Sequence, residues 1–171
     1  MITGITFIEA FVVEPEILYD FLQSSVNWNE SMIARKTASF GKAYNYSQME
    51  YPFQAFLPEL EYMNKRIEGI LGFTPNNCLI NFYPNGKSSM GFHSDQTDIL
   101  EAGTGVAIIS LGEMRSLRFR NIADTSKIKN YDLPSGSLIY MSQEVQKLWQ
   151  HSIPKADTEN GRMSLTFRRI K

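Results

Sequence analysis

The chain has two histidines, one inside His93-Ser94-Asp95 and the other, His151, well downstream. Side chains alternate across a strand with period two, so His93 and Asp95 of a strand-like His-x-Asp would share a face and grip one ion. A later imidazole would complete a two-histidine, one-carboxylate set, which leaves coordination positions open for a chelating cosubstrate and O2. An isolated His-x-Asp is commonly an ordinary polar pair. Catalytic zinc also uses histidine and carboxylate ligands, so these three residues alone leave iron and zinc both open.

The segment Arg162-Met163-Ser164-Leu165-Thr166-Phe167-Arg168 narrows the choice. As a strand it divides into an apolar face, Met163, Leu165 and Phe167, and a polar face, Arg162, Ser164, Thr166 and Arg168. The arginines end that polar face roughly 20 Å apart, at ~3.3 Å per residue. Two long side chains reaching inward would hold a short dicarboxylate between them, and guanidinium pairs with carboxylate through a planar fork. Asn81 and Tyr83 alternate with Phe82 in the same way and would add an amide and a phenol to the carboxylate partners.

The elements that must position these groups are readable from periodicity. Ile5 to Val13 reads as a first strand, and Pro15 opens a short helix over Glu16–Leu22. Residues 24–47 are polar and read as exposed loops or short strands. Pro52–Leu71 carries Phe53, Phe56, Leu57, Leu60, Met63, Ile67 and Ile70 at helical spacing, which predicts the principal helix. After Gly72 come β-type runs at Cys78–Tyr83, Val106–Leu111, Leu117–Arg120, Ser137–Met141 and Met163–Ile170, separated by turn signals such as Pro134-Ser135-Gly136. The expectation is an α+β, mainly β fold, a barrel or jelly roll braced by N-terminal helices.

Bulk properties exclude several classes. The 171 residues suit one domain, and 43% hydrophobic content supplies a core. A net charge of −1 gives no global positive field for polyanions, so a nucleic-acid partner would need a local basic patch. The single cysteine, Cys78, allows no internal disulfide and reads as a buried strand residue. With no signal-peptide pattern and no long apolar run, the expectation is a soluble, cytoplasmic, monomeric protein without membrane contact.

Asn81-x-Tyr83, His93-x-Asp95, His151 and Arg162-x5-Arg168, in that order, resemble the AlkB-like family of Fe(II)- and 2-oxoglutarate-dependent oxygenases. Arg35-Lys36-Thr37-Ala38-Ser39-Phe40-Gly41 and Tyr44-x-Tyr46-Ser47 are similar to the family's substrate-side segment, so the likeness covers about residues 33–170. The resemblance implies a double-stranded β-helix, cupin-like, with residues 24–50 as a nucleotide-recognition lid. It implies iron on His93, Asp95 and His151, and 2-oxoglutarate on Asn81, Tyr83, Arg162, Ser164 and Arg168, the two arginines taking opposite carboxylates. It implies O2 as co-oxidant and ascorbate as activator. Arg35, Tyr44, Tyr46 and Gln96 would meet an alkylated, single-stranded nucleic acid whose N-methyl group leaves as formaldehyde, with succinate and CO2 as the other products.

The chain departs from the family on the substrate side, where Gln96-Thr97 stand in place of the usual acidic residues after the metal-binding Asp95. Two other readings therefore stay open: the same chemistry on a small molecule such as a nucleoside or secondary metabolite, and a non-catalytic jelly-roll binding module.

Overall fold

The computed structural model describes residues 2–46 and 49–171. In chain order the elements are β1 (Ile5–Ile8), α1 (Pro15–Ser25), β2 (Lys36–Gly41), β3 (Tyr44–Tyr46), β4 (Met49–Tyr51), α2 (Pro58–Leu71), β5 (Asn77–Tyr83), β6 (Met90–His93), β7 (Val106–Gly112), β8 (Arg115–Asn121), β9 (Ile128–Leu133), β10 (Leu138–Met141), α3 (Gln143–Leu148), β11 (Trp149–Ile153) and β12 (Arg162–Arg168). Six strands make one antiparallel sheet in the order β1-β10-β7-β12-β5-β2, and four make a second in the order β6-β11-β8-β9. β3 and β4 form a separate hairpin.

Strand alternation builds two apolar layers. Met163, Leu165 and Phe167 of β12, Cys78, Ile80 and Phe82 of β5, and Ala107, Ile109 and Leu111 of β7 turn to one side. There they join Leu18 and Leu22 of α1 and Leu60, Met63 and Ile67 of α2 in one buried cluster. On the other side Val106, Ile108, Ile139 and Met141 pack with Leu117, Phe119, Tyr131, Leu133 and Ile153 of the smaller sheet. Each fully buried Leu, Ile or Phe contributes about 1.5–3 kcal/mol. The helices thus brace the outer face of the large sheet, and the two sheets face each other across the second layer. This is the expected mainly β, double-stranded β-helix architecture.

Element boundaries differ from expectation where local chemistry competes with periodicity. The first strand ends at Ile8, because Phe11 and Val12 both donate their N–H to the Gly136 carbonyl in a tight crossing. The principal helix begins at Pro58, not Pro52, since Gln54 bridges Gly41 and leaves Pro58 to open the first turn. It ends at Gly72, whose φ of 82° takes the left-handed C-terminal position that glycine tolerates.

The polar stretch read as exposed loops or short strands does form a strand, but a buried one: in β2, Thr37, Ala38, Ser39 and Phe40 all lie in the core beside β5. Its last residue, Gly41, has φ 81°, and a Cβ there would lie 2.2 Å from the Asn76 carbonyl. β9 went unread because Lys129, Asn130 and Asp132 are poor strand formers and only Tyr131 and Leu133 are buried.

Candidate active site

His93 is the last residue of β6, and Asp95 lies just beyond the strand in the following coil. The His-x-Asp pair is therefore not wholly strand-borne, yet its side chains still converge. β11 pairs directly with β6, with His151 opposite His93. His93 Nε2 is 3.5 Å and His151 Nε2 3.6 Å from Asp95 Oδ1. One ligand atom from each residue lies within 4.8 Å of the others, as holding a single ion requires.

His93 Nδ1 sits 2.8 Å from the Gly91 carbonyl, which can only accept, so this nitrogen donates and Nε2 is the ring atom turned toward Asp95. Burial alone would push the Asp95 carboxyl up, but His151, His93 and Arg168 outweigh it and hold the group well below the usual carboxylate range. Burial would lower His93, and its contacts with Asp95 and Gly91 override that and raise it. Asp95 thus stays an anion, as a metal ligand must.

The arginines lie on the inward face of β12. Cross-strand register sets Thr37, Asn81, Ser164 and Ser110 side by side across four strands, with Arg162 opposite Tyr83 one step further. Asn81, Tyr83, Arg162, Ser164 and Arg168 line one narrow cavity together with His93, Asp95 and His151.

Arg162 is 1% exposed; its Nη2 donates to Ser110 Oγ at 2.8 Å and its guanidinium lies 5.7 Å from the Tyr83 ring centre. Burial pulls its pKa down to about 10. Arg168, also buried, has Nη2 4.0 Å from Asp95 Oδ2. In both arginines Nε and Nη1 are buried without a hydrogen-bond partner. Two buried guanidiniums with unused donors at opposite ends of one cavity fit a dicarboxylate, because leaving such donors unpaired is costly.

The residues expected on the substrate side occupy different environments. Arg35 donates from Nε to Asn81 Oδ1 at 3.0 Å. Tyr44 is 6% exposed and covers the Arg168 guanidinium, 5.0 Å from its ring centre. Gln96 is exposed beside the metal ligands. The side chain of Tyr46 lies outside the described residues. Arg118 and Arg120 point away from the site on the small sheet, where Arg118 bonds Asn130, and Arg120 bonds Gln150 and stacks on Phe92.

Gln146 and Ser94 escaped the sequence reading as supports of the site. Gln146 of α3, 5% exposed, accepts the Asp95 backbone N–H at 2.8 Å, and Ser94 Oγ donates to the Trp149 carbonyl at 2.9 Å. Together they fasten the loop that carries Asp95 to α3 and β11. Arg115 is buried and donates to the Ser88 and Pro154 carbonyls, joining the turn before β6 to the one after β11. A six-residue helix such as α3 leaves too short a periodic signal to detect.

A set of two histidines and an aspartate facing a pair of buried arginines across a double-stranded β-helix defines an iron and 2-oxo-acid oxygenase class. The chain belongs to the 2OG-Fe(II) oxygenase superfamily, whose model matches residues 19–168. Within it the chain is similar to the DNA oxidative demethylase ALKBH2 of Homo sapiens, 31% identical over 149 residues, covering 81% of this chain and 57% of that protein. It is also similar to the alpha-ketoglutarate-dependent dioxygenase alkB homolog 3 of Rattus norvegicus, 30% identical over 177 residues, 92% of this chain and 60% of that one. The chain thus spans about three fifths of the length of these relatives. The solved structure of OsALKBH1 shares the fold, with a TM-score of 0.69 at 16% identity over 99% of both chains. No helix among the described residues is long and apolar enough to cross a membrane.

Proposed function

We propose that this chain oxidatively removes N-alkyl groups from bases in single-stranded nucleic acid, using Fe(II), 2-oxoglutarate and O2. The observation that carries the reading is the joining of the His93–Asp95–His151 set and both buried arginines in one cavity. His93, Asp95 and His151 would hold the iron. Arg168, beside Asp95, would take the carboxylate end nearest the metal, and Arg162, with Tyr83 and Ser110, the far end. Asn81 and Ser164 would add hydrogen bonds between them. With 2-oxoglutarate and O2 bound, iron supplies oxidation of a C–H bond; an N-methyl group so hydroxylated breaks down to formaldehyde and the bare base, with succinate and CO2 formed alongside.

The protein's part is placement and exclusion of water. The relatives described as DNA oxidative demethylases support an alkylated nucleic acid as substrate. The lid, residues 24–50, would admit the base, with Tyr46 and Gln96 as base contacts. We read the chain as one catalytic domain acting as a cytoplasmic monomer, with ascorbate keeping the iron reduced.

Mass spectrometry of short single-stranded oligonucleotides bearing N1-methyladenine or N3-methylcytosine tests this, in the presence of Fe(II), 2-oxoglutarate and ascorbate. Loss of the methyl mass with matching succinate, absent in His93→Ala, is the expected result. Succinate without demethylation would direct the same chemistry to a small molecule, a reading that the exposed Gln96 in place of an acidic residue favours.

A further inference from the structure

Two residues of the lid touch the cosubstrate side of the cavity. Arg35 bonds Asn81, and Tyr44 lies over Arg168. Neighbouring Lys36 is engaged elsewhere, 3.3 Å from Glu30 and above the Phe82 ring on the helix-facing side, so the two basic residues are not interchangeable.

The Arg35 contact fixes a polarity. A guanidinium has only donors, whereas a carboxamide has an acceptor oxygen and a donor nitrogen. Asn81 must therefore present Oδ1 to Arg35, which turns its NH2 away from that contact. Asn81 stands in register with Ser164 and lines the cavity shared by Arg162 and Arg168. A carboxylate entering this cavity needs donors and is repelled by a carbonyl oxygen. Without Arg35 the amide is free to rotate and offer the wrong end.

We propose that Arg35 is a positioning residue of the cosubstrate pocket, which acts by holding the Asn81 amide with its NH2 available to a carboxylate. The inference rests on the reading of this cavity as a 2-oxoglutarate site. It moves Arg35 from the base-contacting rim to the cosubstrate, and it ties the lid to cosubstrate occupancy, since the segment leading into β2 is anchored on a residue the cosubstrate would touch.

Calorimetric titration of 2-oxoglutarate into the Mn(II)-loaded, intact protein tests the proposal without turnover. The variants are Arg35→Met, Arg35→Lys, Asn81→Ala and the Arg35→Met/Asn81→Ala double, with melting of the metal-free proteins as a check on folding. Arg35→Met is expected to weaken 2-oxoglutarate roughly tenfold, as loss of a charge-assisted hydrogen bond does. Arg35→Lys, which keeps a donor, should recover most of that loss. In the Asn81→Ala background Arg35→Met should add nothing, because the amide through which it acts is gone.

Unchanged 2-oxoglutarate affinity in Arg35→Met would overturn the proposal. So would a tenfold loss that persists in the Asn81→Ala background. Failure of the unaltered protein to bind 2-oxoglutarate would instead remove the cosubstrate reading itself.

Discussion

Gln146 Oε1 accepts the backbone N–H of Asp95 at 2.8 Å, and this bond joins a six-residue helix to the loop that carries a metal ligand. Gln146 is buried, and its amide nitrogen reaches the Met141 sulfur, so the side chain has little freedom to follow Asp95 if the loop moves. Gln146→Leu keeps the volume and removes the acceptor. Metal affinity, measured by competition with a chelator, is expected to fall about 10–100-fold, as loss of an outer hydrogen bond commonly causes. Unaltered affinity would show that Asp95 is held by Ser94 and the strand alone.

The two arginines should separate in their effects. Lysine offers a point charge without the planar fork. Arg162→Lys is therefore expected to weaken 2-oxoglutarate binding at least ~10-fold and leave Mn(II) affinity as it was, because Ser110 and Tyr83, not the metal ligands, surround it. Arg168→Lys should disturb both affinities, because this residue sits 4.0 Å from Asp95. Identical profiles for the two variants would contradict the assignment of opposite ends.

Cys78 should be inert. It is fully buried, and burial pushes its thiol far above the ordinary range, against only a weak opposing influence from Arg168. Raising the pH to about 9, where a free thiol with pKa ≈ 8.5 is largely ionised, is expected to leave it unreactive in the native state. Titration with a coloured disulfide reagent should register the thiol only after denaturant is added; rapid reaction with the native protein would sink this.

Asn64 marks a place where stability can be gained. It lies on α2 at 1% exposure, and neither its amide nitrogen nor its oxygen has a hydrogen-bond partner. A buried polar group left unsatisfied costs about 1–3 kcal/mol. Asn64→Leu should therefore raise the melting temperature by roughly 2–4 °C for each kcal/mol recovered in a chain of this size. A lowered melting temperature would mean that leucine does not fit the space.

The parts of the molecule legible in its sequence are those where one residue's type and its neighbours' alternation agree. Met163, Leu165 and Phe167 against Arg162, Ser164 and Arg168 is such a case, and β12 places every one of them on the face the alternation assigns. What escaped was set by partners far along the chain. Nothing near Gln146 announces Asp95, and nothing near Thr37 and Ser39 announces burial beside Asn81 and Leu79. Tyr44 reads as an aromatic available for stacking, and only the cross-chain approach of Arg168 shows what it covers.

The strand that carries both arginines follows every other strand in chain order yet lies between β5 and β7 in the large sheet. While the chain is being synthesised, the edges of β5 and β7 stand open with their backbone groups unpaired until residue 168 has left the ribosome. Open edges of this kind attract other chains. The nascent chain is therefore most in need of a chaperone until β12 has emerged, and one cut short before residue 162 has neither a closed sheet nor an anion pocket.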